Sequence, residues 1–247
     1  MSALAAIAIP PAALLTGAEG SALFLSAATA FIVALLCLPP GVALAWLLAR
    51  REFPGKTLLD TALHLPLVLP PVVVGYFLLW LLGRRGWLGS PLAELGIEIA
   101  FTPAAVVLSG AAMAFPLLVR SARLAIEAVD PGLEQAARTL GAGRWRTAWR
   151  VTLPLAAPGI AAGTILCFAR ALGEFGATIV FAGNIEGSTR TLPLLIFTEL
   201  QMPGGDARVA RLVAISVGVS FLALALSERG ARRMRARLRQ ERAGSRP

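Results

Sequence analysis

The chain has 247 residues, of which 57% are hydrophobic and only 15% charged, and its mean hydropathy is +0.73, far above an ordinary soluble domain. That composition requires an integral membrane protein, and the formal charge of +9 therefore describes the ends of membrane segments rather than a nucleic-acid surface. One histidine and two cysteines, Cys37 and Cys167 inside apolar stretches, supply neither a metal cluster nor a disulfide framework; with no acid–base constellation and no glycine-rich phosphate loop, an enzymatic centre has little to be built from.

Residues 1–20 are apolar but interrupted by Pro10 and Pro11, and no basic residue precedes them. This excludes a secretory signal, which opens on positive charge; the segment is expected to lie along the outer interface, the alternative being an additional membrane crossing. The remainder, 21–227, reads as one all-α transmembrane bundle. Apolar stretches at about 21–49, 63–82, 101–118, 160–181 and 209–226 approximate the 20 or so residues a helix needs to cross a bilayer. This gives five spans, or six if the N-terminal segment also crosses. Prolines 39 and 40 predict a kink in the first span, and prolines 66, 70 and 71 deprive the second of backbone hydrogen bonds, which is tolerated where neighbours or a cavity supply partners. Residues 84–98 and 183–207 read as polar connections, and 228–247 as a basic tail.

The longest polar interval, 130–159, lies between the third and fourth spans and reads as two short helices with a hinge. Asp130 can cap the first, with Pro131 where a missing N–H costs nothing. Leu133, Ala136, Ala137 and Leu140 form one narrow apolar face, and Glu134 stands four residues before Arg138, an exposed pair worth roughly 0.2–0.5 kcal/mol. Gly141 suits the left-handed residue that ends such a helix. Arg144 to Val151 reads as a second helix, with Trp145 and Trp149 expected to pack on the membrane subunit itself and Pro154 expected to stop it.

Basic residues set the orientation. With 130–159 in the cytoplasm, seventeen Lys and Arg lie inside and five outside, Arg84, Arg85, Arg190, Arg208 and Arg211, as the positive-inside bias requires. Five spans then leave the N-terminus outside and the C-terminus in the cytoplasm. Arg170 falls within the fourth span, one turn before Glu174. Ionisable groups there cost about 2.5–3.5 kcal/mol each and face a partner or a water-filled path: the pair is either a gate lining the pathway or a mutually neutralised brace, with Gly173 and Gly176 admitting a neighbouring helix. His64 reads as a packed or interfacial histidine, and the outer arginines as a long-range attraction for anions. Hydroxyl residues such as Thr164, Thr178, Ser216 and Ser220 suit a path that must bind weakly.

Glu134-Gln135-Ala136, Gly141, then nine residues and Val151-Thr152-Leu153-Pro154 resemble the E-A-A, three residues, G, nine residues, I-x-L-P pattern of membrane subunits of bacterial ABC importers, with Gln135 and Val151 as mild departures. The blocks 53–56, 64–76, 83–86, 134–145 and 170–178 further resemble molybdate ABC-importer permeases. The resemblance implies a type I importer permease whose 130–159 loop docks in a groove of a cytoplasmic ATPase, with Glu134, Ala136, Ala137, Gly141, Leu153 and Pro154 as coupling residues. It also implies a homodimer in the inner membrane, two separate ATP-binding cassette subunits that bind ATP and Mg, and a periplasmic or lipid-anchored molybdate-binding protein. No cofactor is expected in this chain, which holds no Walker motif, and no nucleic-acid partner. The cargo implied is molybdate and tungstate, with sulfate or thiosulfate as the rival; a membrane scaffold or sensor is the rival of another class.

Overall fold

A computed structural model describes residues 17–244, and all regular structure among them is helical. The first helix, α1 (Gly17–Arg50), begins inside the stretch expected to lie on the interface and runs through Pro39 and Pro40. Residues 1–16 of that N-terminal segment lie outside the described residues. At 1.5 Å per residue its 34 residues reach about 50 Å, more than the hydrocarbon thickness of ~30 Å. It packs against α5 (Pro103–Glu127) and α8 (Leu153–Leu172). Two buried clusters join the three helices: Val33, Cys37, Ala114, Leu118 and Cys167 in one, Ala45, Leu48, Val119, Ala122, Ile126 and Ala156 in the other. Lipid is as apolar as leucine, so close packing rather than water exclusion holds such helices together. The sequence provides for it with small residues, as at Gly163, where a Cβ would come within 3.1 Å of the Leu118 carbonyl.

The expected second span is not one helix. It is a bent pair, α2 (Lys56–Val68) and α3 (Pro71–Leu82), turned by 115°. Leu69 precedes a proline and is extended, ψ 144°, while Pro71 starts α3 where its missing donor is harmless. The expected fourth span is also interrupted. α8 ends at Leu172, Gly173 to Phe175 are not helical, and α9 (Gly176–Phe181) resumes. The two interruptions pack on each other: a Cβ on Gly75 of α3 would meet the Ala177 carbonyl oxygen at 2.6 Å, and one on Gly176 would meet Pro71 at 2.7 Å.

Three helical stretches among the described residues are long and apolar enough to cross a membrane, Gly17–Arg50, Pro103–Glu127 and Arg144–Leu172, or four if the bent pair counts as one. The expected fifth stretch, 209–226, falls inside the last helix, α11 (Asp206–Gly244).

The polar connections contain two short helices, α4 (Gly89–Glu94) and α10 (Leu192–Leu200). α10 is no mere connection: Leu192 and Leu195 are buried with Ala22 and Leu212, and the Leu192 amide donates to Ser26 Oγ at 2.7 Å. Four of the five outer arginines are paired, Arg84 with Glu98, Arg190 with Glu186, Arg208 with Glu199 and Arg211 with Glu19. Their charges are thus locally balanced rather than free to attract an anion from a distance.

Candidate functional site

The interval 130–159 folds as an elbow. Its first arm, α6 (Pro131–Thr139), starts as its sequence dictates, with Asp130 Oδ1 accepting from the Gly132 amide at 2.8 Å. It ends in a Schellman motif: the Ala142 amide donates to the Ala137 carbonyl, the Gly141 amide to the Arg138 carbonyl, and Gly141 has φ +85°. The second arm does not stop at Pro154. α7 (Arg144–Thr147) passes through a π-turn, Ala148–Thr152, straight into α8. A proline in a regular helix clashes with the carbonyl four residues back; the wider π-turn just before it relieves that clash, so Leu153 and Pro154 open a membrane helix instead of closing a loop helix.

Glu134 is not in an exposed pair with Arg138. It is buried, 7% exposed, and Arg138 stays 3.8 Å away. Its main partner is Arg50, from the last turn of α1, whose Nε donates to Glu134 Oε1 at 3.1 Å. Thr152 Oγ1 donates to the same oxygen at 2.8 Å. Nη2 of the same guanidinium, 2.9 Å from Glu134 Oε1, also donates to the carbonyls of Ile126 and Val129 at 2.8 and 3.1 Å where α5 ends. One ion pair therefore ties the ends of α1 and α5, the arm α6 and the π-turn. Arg50 was not singled out by sequence because it lies 84 residues from Glu134; the only signal was a cation at the end of a span.

The opposite face of α6 is unpartnered. Leu133 and Leu140 are exposed, Leu140 at 89%, and Ala136 lies with them; Ala137 is half-buried. Trp145 and Trp149 do not bury themselves against the bundle. Trp145 is 77% exposed and touches it through one face, stacked on Trp46 with centroids 6.3 Å apart, and Trp149 is also exposed. One turn of helix followed by a π-turn directs these rings outward. Gly141, Leu153 and Pro154 are apart from the Glu134 cluster: the first at the tip of the elbow, the others at the mouth of α8, where Leu153 is half-buried and Pro154 exposed.

Arg170 and Glu174 do meet. Arg170 Nη1 is 2.6 Å from Glu174 Oε2, with the glutamate side chain 2% exposed. The other oxygen, Oε1, accepts from the Ala177 amide at 2.8 Å and so caps α9 across the interruption. Thr178 is buried two residues into α9, and its hydroxyl has no partner among the described residues. His64 is packed: its Nδ1 is 2.8 Å from the Asp60 carbonyl, and Asp60 in turn accepts from Arg123 at 2.8 Å.

Residues 41–236 match the family described as binding-protein-dependent transport system inner membrane component. The molybdenum transport system permease protein ModB of Escherichia coli K12 is 54% identical over 232 residues, 94% of this chain and 99% of that protein. The sulfate transport system permease protein CysT of the same organism is 36% identical, covering 78% and 71% of the two chains. In fold, the chain is similar to a bacterial ABC transporter involved in alginate import, with a TM-score of 0.71 at 18% identity over 90% of this chain and 81% of that one. An apolar helical bundle, an amphipathic elbow bound to its span ends and a family match over most of the length lead to one assignment: the chain belongs to the binding-protein-dependent transport system inner membrane components, as the permease part of an ABC importer.

Proposed function

We propose that the chain is the membrane subunit of an ATP-driven importer of molybdate and tungstate. It works as a homodimer with two ATP-binding cassette subunits in the cytoplasm, which hold the ATP and Mg, and with a periplasmic or lipid-anchored molybdate-binding protein. The cargo follows from the near full-length similarity to a molybdenum permease at 54% identity, against 36% for the sulfate permease. The observation that carries the mechanism is the two-faced elbow, with α6 offering Leu133, Ala136 and Leu140 outward while Glu134 on its other side is held by Arg50.

In this mechanism the ATPase groove takes the apolar face, with Ala137 letting it approach closely. When ATP closes the two ATPases, the elbows are drawn together. Gly141 keeps the two arms at a fixed angle, Leu153 and Pro154 pass the movement into α8, and the Glu134–Arg50 pair passes it into α1 and α5. A second copy of the chain completes the path. α2 has no buried residue, and α3 leaves Val72, Val73, Tyr76, Phe77 and Trp80 exposed, a bare surface on the bent pair that a partner subunit and a water-filled path would share. Arg170, Glu174 and Thr178 stand where the two interrupted helices meet and form the gate; irregular backbone at membrane depth is tolerated where it lines a cavity. Residues 228–247 are the cytoplasmic tail.

The test is cellular molybdenum at trace molybdate, measured in cells lacking the gene, in cells with it restored, and in cells carrying a coupling-elbow variant. A deficit rescued by the intact chain and not by the variant is the expected result. Normal molybdenum with impaired sulfate uptake would transfer the chain to the sulfate permeases, and no change in either would leave the scaffold reading.

A further inference from the structure

Behind the elbow, on the side of α6 that carries Glu134, there is a cavity of about 190 Å³. Its floor is the Arg50–Glu134 pair, and Trp46, Arg51, Arg138 and Arg144 stand around it. Four guanidinium groups against one carboxylate make it strongly cationic. The floor pair neutralises itself, and Arg138 is only loosely associated with Glu134 at 3.8 Å. Neither Arg51 nor Arg144 has a carboxylate partner among the described residues. Guanidinium groups without a carboxylate partner, converging on one cavity, have the fork geometry that pairs with an oxyanion.

The position of the cavity selects which anion. Arg51 directly follows the last residue of the apolar helix α1, and its guanidinium lies 6.0 Å from the ring centre of Trp46. Trp46 is stacked in turn on Trp145. Stacked indoles at the end of a span mark the headgroup level, and basic pockets between helices on the cytoplasmic side take anionic headgroups. An ATPase side chain is the less suitable occupant. In a helix of 3.6 residues per turn, Glu134 and Arg138 are displaced by roughly 100–160° around the axis from Leu133, Ala136 and Leu140, so the cavity lies away from the face left bare for docking.

We propose that this cavity binds the phosphate of an anionic phospholipid from the inner leaflet, held by Arg51, Arg138 and Arg144 with the glycerol region against Trp46. The lipid would fill the space between the elbow and the end of α1. The inference rests on the cytoplasmic placement of 130–159 and not on the identity of the cargo.

The test is native mass spectrometry of the intact permease–ATPase complex released from nanodiscs of mixed phosphatidylglycerol and phosphatidylcholine. The intact complex is expected to retain phosphatidylglycerol, one per permease chain, in preference to phosphatidylcholine. Arg51→Gln/Arg144→Gln should weaken retention roughly thirty-fold, as removing two interfacial cations implies. Arg146→Gln, which removes a neighbouring charge outside the cavity, should retain it, and so should Arg51→Lys/Arg144→Lys, which alters the same two side chains but keeps both charges. Equal retention by the intact protein and the double variant would overturn the proposal, as would equal loss in Arg146→Gln, which would make the effect a general surface field. Displacement of the lipid by excess inorganic phosphate would assign the site to a free oxyanion instead. Lipid found on the permease dimer alone but absent whenever the ATPase is bound would assign it to the ATPase contact. These readouts need no transport, so they fail or succeed separately from the molybdate assay.

Discussion

Removing the carboxylate of Glu134 should uncouple ATP hydrolysis from uptake without preventing assembly. The side chains of Arg50 and Glu134 are only 18% and 10% exposed. Glu134→Ala abolishes the bond from Arg50 Nε and the bond from Thr152, and leaves a guanidinium largely out of water with two carbonyls for company. Breaking a fully buried pair from one side costs about 3–5 kcal/mol; the retained carbonyl bonds and residual solvent bring this nearer to 2 kcal/mol, in the range of a single charged hydrogen bond. A loss of ~2 kcal/mol reduces the population with the elbow tied to the spans by roughly thirty-fold. The assay is a double-mutant cycle in proteoliposomes containing the ATPase and the binding protein, following phosphate release and accumulated molybdate together. Glu134→Ala and Arg50→Leu should each hydrolyse ATP at near-normal rates while importing far less per ATP. Arg50→Leu/Glu134→Ala should recover part of the loss, since neither charge is then stranded. A coupling energy below about 0.5 kcal/mol between the two positions, within the error of additivity, would refute the argument that this pair transmits the movement.

Three further outcomes are expected. Gly141→Val places a β-branched residue at φ +85°, at about 1–2 kcal/mol for the left-handed backbone. Because a Cβ there meets nothing within 4 Å, insertion should be normal while uptake per ATP falls; normal uptake would remove the hinge argument. Gly75→Ala drives a Cβ into the Ala177 backbone and should lower the thermal stability of the purified complex by an amount typical of overpacking, about 1–3 kcal/mol; unchanged stability would mean that α3 and α9 are not held at that distance. Glu174→Ala should reduce the level of assembled complex more than Arg170→Ala/Glu174→Ala, because the single change leaves Arg170 unpaired; equal damage from both, with assembly intact and uptake lost, would make the pair part of the path alone.

What the sequence made legible is what local chemistry decides. Asp130, Pro131 and Gly141 bracket α6 because caps and the left-handed turn depend on neighbours two to five residues away. Arg170 and Glu174 meet because four residues is one helical turn. The misjudged features depend on distant contacts. Prolines 66, 70 and 71 were visible, but whether they kink a span or fold it back by 115° is decided by the close approach of Gly75 to Ala177, a hundred residues later in the chain. Likewise Glu134 looks like half of an exposed helical pair until Arg50 arrives from the far end of α1. The nine residues of α10 were hidden in a connection that is polar on average, though Leu192, Leu194 and Leu195 within it are buried. The π-turn left no mark that the proline rule could distinguish from a helix end.

That π-turn gives the elbow a phase. Each residue of an α-helix advances the rotation by about 100°, whereas the wider turn Ala148–Thr152 spreads about one turn over its residues, so its width fixes the direction in which everything before it points relative to α8. Losing one of these residues would let the helix close with its direction kept, but tightening all five into regular α geometry would turn α7 by about a quarter of a circle. Trp145 would leave Trp46, and Thr152 would no longer sit under Glu134. These five positions are therefore the timing mark between the part that is pushed and the part that crosses the membrane, set by the width of one turn and not by the length of the loop.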